Sequence, residues 1–253
     1  MDALTRAELD RMEIVGYLPT IRGLAHSMCA PFFWYTVHGN DQDRVLHNGT
    51  VCLLRLEGKL IGVSAAHVYR QYIADRETHR HIKCQFGSVS VSPEELIVDI
   101  SDELDVATFL LPEVIAAATG VRAHVPVSWP PNPVEFGQVL VYGGYPGVLR
   151  VERQLEIDIP FQSFIGKVLS VSRSDLKMHL DLGNFHQPLV GAISPNTDLG
   201  GMSGGPVFRL VTRPIERYEL VGFIYEFQAN LELVMARVAN CVATDGSLDH
   251  AAW

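Results

Sequence analysis

Positive charge, paired cysteines and long apolar runs are all scarce in this chain of 253 residues. Twenty Lys and Arg stand against 29 Asp and Glu, a formal net charge of −9 with His neutral. No segment gathers the bases, and nucleic acids and anionic membranes bind through gathered Lys and Arg, so neither is expected as a partner. No stretch comes near the ~18 uncharged apolar residues of a membrane-crossing helix. Residues 1–12 alternate charges where a signal peptide would carry ~7–15 apolar residues, and Thr5 and Glu8 are spaced as a capping box. The expectation is a cytoplasmic protein with residues 1–25 as a helical extension. The four cysteines, Cys29, Cys52, Cys84 and Cys241, form no C-x-x-C pair. In a reducing compartment they are expected as free thiols that fill space in the core. His79, His81 and Cys84 lie close together, but no fourth ligand sits at a zinc-like spacing. Segment 76–84 therefore reads as a solvated loop, and no metal is expected.

What the chain does have is apolar material in short pieces. It is 47% hydrophobic and 19% charged, below the ~25% charge of an average domain, which calls for a packed interior. Residues 50–56 and 59–64 flank Glu57-Gly58 and read as a β-hairpin. Further strand-like runs lie at 89–91, 96–100, 106–111, 139–142, 163–172, 177–182, 206–210, 219–226 and 231–238. Helical signals are confined to the start of the chain, to 112–119 closed by Gly120, and to the last residues. Many short strands without intervening amphipathic helices predict an all-β protein of sandwiches or barrels. Residues 126–133 hold four prolines and cannot be an interior strand. They read as a stiff connector between two β halves, 26–125 and 134–253.

The sharpest chemical signal is Gly200-Gly-Met-Ser-Gly-Gly-Pro-Val-Phe208. Glycines around a serine let the backbone fold tightly, expose the hydroxyl and aim neighbouring N–H groups at one spot where an oxyanion can form. Gly201-Met-Ser203-Gly-Gly205 also satisfies the G-x-S-x-G elbow of α/β-hydrolases, but that order of residues leaves only His250 as a base and needs a helix-rich chain. Upstream, Ser64-Ala-Ala-His67 sets a histidine after small residues at a strand end. Leu104-Asp105-Val-Ala-Thr sets a carboxylate at the mouth of an apolar strand, where an unpaired Asp is costly to bury.

Together the three blocks, in the order His, Asp, Ser and 38 and 98 residues apart, resemble the chymotrypsin/trypsin-like serine peptidases across residues 50–240. The resemblance implies two six-stranded antiparallel β-barrels with few short helices, the first carrying His67 and Asp105 and the second Ser203. It implies that Ser203 attacks the scissile carbonyl of a protein or peptide, His67 shuttles the proton, and Asp105 orients His67. The backbone N–H groups of Gly201 and Ser203 would make the oxyanion hole, and no cofactor is required.

Several positions depart from the family. Met202 stands where secreted members carry an Asp that binds a newly cut N-terminus, so no zymogen switch is expected. Cys52 stands at a half-cystine position whose partner would be Val68. Residues 139–147 resemble the second-barrel start of intracellular bacterial members. The pocket floor would be Thr197, with walls from Val221–Phe227 and the segment around Leu233. A neutral floor narrowed by Phe227 and Leu233 favours small or medium apolar side chains before the cut bond. With Asp198 on the floor instead, Lys or Arg would be favoured. Two other functions compete: a catalytically silent binding or scaffold module on the same fold, and an esterase using the elbow. The oligomeric state is open.

Overall fold

The computed structural model describes residues 23–37, 45–79, 81–153, 156–180, 198–211 and 217–251. The helix expected within the first twelve residues lies outside them. In the first half, β1 (Cys29–Thr36), β2 (Leu46–Leu56), β3 (Lys59–Ser64), β4 (Ile82–Phe86), β5 (Val89–Val91), β6 (Ile97–Ser101) and β7 (Val106–Leu110) make one antiparallel sheet, in the order β5-β4-β1-β2-β3-β7-β6. The β2–β3 hairpin turns on Glu57 and Gly58, whose φ angles of 47° and 80° are both positive, matching the twist that a two-residue hairpin needs.

β1 escaped the sequence reading because Pro31 sits in it, and proline normally spoils a central strand. Leu53 donates its N–H to the Met28 carbonyl, so hydrogen-bonded pairs with β2 fall at residues 28, 30 and 32, and the backbone groups of Pro31 face the other side. There β4 begins pairing only at Phe32↔Phe86, and the Pro31 carbonyl accepts the Gly87 N–H at 2.8 Å. The missing proton is not missed.

Segment 76–84 is no solvated loop. Arg76–Thr78 close helix α1 (Ala66–Thr78), and Ile82–Cys84 open β4 with Cys84 buried. All four cysteines are buried and unbridged. Among the described residues no cluster of His, Cys, Asp or Glu is arranged to hold a metal, and no helix is long and apolar enough to cross a membrane.

The second half closes. β8 (Val139–Gly144), a small hairpin of β9 (Val151–Glu152) and β10 (Ile157–Asp158), then β11 (Gln162–Val171), β12 (Asp175–His179), β13 (Pro206–Val211), β14 (Arg217–Gln228) and β15 (Leu233–Val238) follow in sequence. Six of them form a closed barrel in the order β11-β12-β15-β14-β13-β8. The protein is thus mostly β with one closed six-stranded barrel, whereas the first half is a seven-stranded sheet whose outer strands do not meet. Both edges are covered by other means, as exposed edges must be. Helix α3 (Glu113–Thr119), after the single turn α2 (Pro93–Leu96), packs on β5 and ends at Gly120 with φ 68°. On β6, the Asp99 carboxylate accepts the Leu248 N–H at 2.9 Å, so the C-terminal segment lies along that edge.

One apolar core fills the first sheet and another the barrel. A third joins them, with Cys52, Leu54, Leu56, Ile61 and Val63 against Phe208, Leu220, Phe223 and Val242. Beside it His124 is buried, paired by backbone hydrogen bonds to Leu53 and Arg55. Burial pushes its pKa from 6.5 down to about 4. The unfolded chain takes up that proton below pH 6.5 while the folded chain refuses it until about 4, so stability falls as pH drops through this interval, by up to about 3 kcal/mol. Urea midpoints measured between pH 7 and 4 should show the decline, and His124→Gln should flatten it. An unchanged slope in that variant would assign the decline to other groups.

Candidate active site

Ser64 ends β3, and after Ala65 the chain enters α1, so His67 lies in the helix's first turn, where backbone N–H groups have no intrahelical partner. Asp105 supplies one. Its Oδ1 accepts the His67 N–H at 2.9 Å, and its Oδ2 lies 2.7 Å from His67 Nδ1. This two-point grip orients the ring and leaves Nε2 as the nitrogen open to another group's proton. Asp105 itself holds φ 51° at the start of β7, the left-handed conformation that Asp tolerates better than most residues. The sequence reading placed His67 at a strand end. The strand is there, but the ring is held by a helix that was not expected.

The nucleophile loop is shaped by its glycines. Gly201 and Gly204 have φ of 100° and 91°, and a Cβ on Gly204 would run into the Thr50 carbonyl, one on Gly205 into the Gly143 carbonyl. The Gly200 carbonyl accepts the Gly147 N–H at 2.7 Å, and the Met202 carbonyl accepts the Gly205 N–H at 2.8 Å. In a trans peptide the N–H points opposite to the carbonyl, so the Gly201 and Ser203 N–H groups are turned away from these contacts. Among the described residues neither has an acceptor. They are free to bind an anionic oxygen. The Ser203 hydroxyl donates to the Tyr225 carbonyl at 3.3 Å rather than to His67.

His67, Asp105 and Ser203, from opposite halves of the molecule, line one pocket of about 370 Å³. Of the substrate residues read from sequence, Asp198 and Phe227 line it too, together with Glu226. Leu233 does not: it opens β15, opposite His179 and Gln228. Thr197 lies outside the described residues. Asp198 Oδ1 also accepts the Gly200 N–H at 2.8 Å, which ties the carboxylate to the nucleophile loop.

Sequence reasoning missed the residues that brace this site. Arg237, buried on β15, donates Nε to the Leu104 carbonyl at 2.6 Å and a second nitrogen to the Glu103 carbonyl at 3.3 Å, immediately before Asp105. A third nitrogen meets Asp175 at 2.8 Å, and the guanidinium lies 4.7 Å from the Tyr225 ring centre. Tyr225 donates its hydroxyl to Asp175 at 3.0 Å. Burial, reinforced by that carboxylate, pushes the phenol up to about 12, so it stays protonated. One guanidinium thereby connects the turn that carries the Asp to the residue that holds the Ser hydroxyl. No local pattern announces such a role, because its targets are carbonyls 133 and 134 residues away.

No known family matches this chain, and neither does any curated relative. Among solved structures it is similar to a chain from work on how aromatic interactions drive the coupled folding and binding of the intrinsically disordered Sesbania mosaic virus VPg protein. The two are 18% identical, with 84% of this chain and 92% of that chain covered and a TM-score of 0.44. The site is therefore read from its own geometry.

Replacing Arg237 by Met keeps the length of the side chain but leaves two carbonyls without their donor and Asp175 without its cationic partner. It should destabilise the fold by about 3 kcal/mol, the lower end for breaking a buried pair because Asp175 is partly exposed. Chemical denaturation measures the loss, and a change under 1 kcal/mol would mean that the contacts are incidental.

Proposed function

We propose that this protein is a serine endopeptidase of the chymotrypsin-like type, with the seven-stranded sheet as an opened counterpart of that family's first barrel and residues 126–133 as the connector between the halves. The observation that carries this reading is the double contact of Asp105 with His67 in the same pocket as Ser203. Ser203 Oγ attacks the scissile carbonyl carbon while His67 Nε2 takes its proton, and Asp105 holds the ring and offsets the imidazolium charge. The carbonyl oxygen, now anionic, is received by the Gly201 and Ser203 N–H groups. His67 then gives its proton to the leaving amine, and water repeats the sequence to release the acid. A second cleft of about 720 Å³ adjoins the pocket and shares His67, Asp105, Tyr225 and Glu226 with it. A furrow of that extent suits a polypeptide better than a small ester. Four unbridged thiols agree with a cytoplasmic, reducing setting.

A silent binding module is the second reading. The orientation of the Ser203 hydroxyl toward Tyr225 favours it, since a nucleophile must hand its proton to His67. A fluorophosphonate separates the two. The wild-type chain should be labelled on Ser203 and Ser203→Ala should not, while Asp105→Asn should lower turnover by about 10⁴-fold through the wrong imidazole tautomer. A folded wild-type chain that resists the probe contradicts the peptidase reading.

Specificity follows from the two carboxylates in the pocket. Among the described residues neither Asp198 nor Glu226 has a cationic partner, and an unpaired ammonium or guanidinium entering beside them finds its counter-charge in place. This favours the Lys or Arg alternative over small apolar residues. Digestion of an unfolded protein should give a majority of cuts after Lys and Arg, and Asp198→Asn should lower kcat/KM for such sites at least about tenfold. Cuts mainly after Ala, Val or Leu would show that neither carboxylate meets the substrate side chain.

A further inference from the structure

Thr50, in the middle of β2, is wholly buried, and every polar group it has is engaged by another segment. Its N–H donates to the Ser203 carbonyl at 2.8 Å. Its hydroxyl donates to the Gly201 carbonyl at 2.9 Å and accepts the Tyr145 N–H at 3.1 Å. Its carbonyl accepts the Ser64 hydroxyl at 2.7 Å, three residues before His67. The nucleophile loop, the chain just beyond β8 and the strand leading to His67 all meet on this one residue. Glycines let the backbones approach so closely: a Cβ on Gly144 would lie 2.8 Å from the Thr50 hydroxyl, and one on Gly204 would strike the Thr50 carbonyl.

Gly201 is the weak point of the loop. A glycine with φ of 100° has little steric preference of its own, so the peptides on either side of it can turn unless hydrogen bonds hold them, as the Met202 N–H does in part for the far one, reaching the Leu199 carbonyl at 3.2 Å. Gly147 holds the carbonyl on the near side and the Thr50 hydroxyl the one on the far side. The Gly201 and Ser203 N–H groups lie on the peptides whose carbonyls the Gly147 and Gly205 N–H groups hold, and Thr50 holds the peptide between those two, so a turn of that middle peptide would carry both neighbours with it.

We propose that Thr50 is a positioning residue for the anion-binding loop: its side-chain hydroxyl clamps the Gly201 carbonyl, fixing the peptide between the two that carry the Gly201 and Ser203 N–H groups, and so keeps those groups aimed at the reacting oxygen. The clamp is a statement about loop geometry, and its consequence for catalysis rests on the peptidase reading above.

Thr50→Val keeps the shape of the side chain and removes the hydroxyl, leaving the Tyr145 N–H and the Gly201 carbonyl without their partner, whereas Thr50→Ser keeps it. The full-length protein is treated with a fluorophosphonate, and amide hydrogen exchange is followed in residues 199–205. Labelling of Thr50→Val should be about 10–100-fold slower than wild type, the range expected when a buried hydrogen bond is lost from a catalytic loop, and Thr50→Ser should recover most of it. On a peptide amide cut by the wild type, kcat should fall while KM stays, because the loop acts on charge that develops only in the transition state. Exchange in 199–205 should quicken in Thr50→Val and not in Thr50→Ser, with α1 unchanged in both. Should Thr50→Val fail to fold, Thr50→Ala replaces it with the same expected loss. A folded hydroxyl-free variant that labels at the wild-type rate overturns the proposal. If the wild type itself does not label, it is the peptidase reading that falls. Exchange alone then decides the clamp: faster exchange in Thr50→Val upholds it, and unchanged exchange overturns it.

Discussion

From Gly49 to Leu54, β2 has no face left for water, and most of what matters in this molecule follows from that. Val51 and Leu53 point into the core of the first sheet, while Cys52, Leu54 and Leu56 point into the core shared with the barrel. A slip of one residue would exchange the two sets, so the register is pinned from both sides. The pinned strand then places everything around it. Gly49 leaves no room for a Cβ because Val68 of α1 packs directly upon it, which seats the helix whose first turn carries His67. On the same strand Thr50 reaches across to the nucleophile loop.

The apolar joint between the halves gives cohesion without direction, since the hydrophobic effect is roughly proportional to area and indifferent to small slides. Hydrogen bonds to carbonyls are not indifferent, because they weaken steeply with distance and angle. The joint is studded with them: Thr50 to Gly201 and to Ser203, Arg237 to Leu104. Each ends on a carbonyl of the nucleophile loop or on the one just before Asp105. The apolar surface brings the halves together, and the polar contacts fix their alignment.

How much of this could be read from the sequence depended on the range of the forces at work. The β2–β3 hairpin, α3 with its Gly120 stop and the strands of the barrel were legible, because turn residues and period-2 patterns act within a few positions. α1 was not. Its apolar face runs through Ala66, Val68, Tyr69 and Tyr72 and then meets Asp75, where a carboxylate breaks the pattern. That Asp is acceptable only because donors distant in sequence satisfy it: burial works against its charge, yet hydrogen bonds from Trp34, His47 and Gln71 hold it below the usual carboxylate range. The open first sheet was also illegible, since closure turned on whether α3 and the C-terminal segment would cover the edges. His67, Asp105 and Ser203 could be picked out by motif and are brought together, but Thr50, Tyr225 and Arg237 act on carbonyls across the fold and leave no local signature.

For the proposed chemistry, two kinds of misplacement are very unequal. A serine hydroxyl aimed at the wrong acceptor is corrected by turning one side-chain bond between staggered wells, and the Tyr225 carbonyl offers a single contact of 3.3 Å to hold it back. A misdirected oxyanion loop is another matter, because turning its peptides means breaking the contacts of Gly147 and Thr50 and forcing the backbone past the Thr50 and Gly143 carbonyls. Here the costly part is already in place, with both N–H groups free and both flanking carbonyls tied, and the cheap part is what differs from a ready triad. The proposed chemistry therefore needs the turn of one side chain and no rearrangement of the loop.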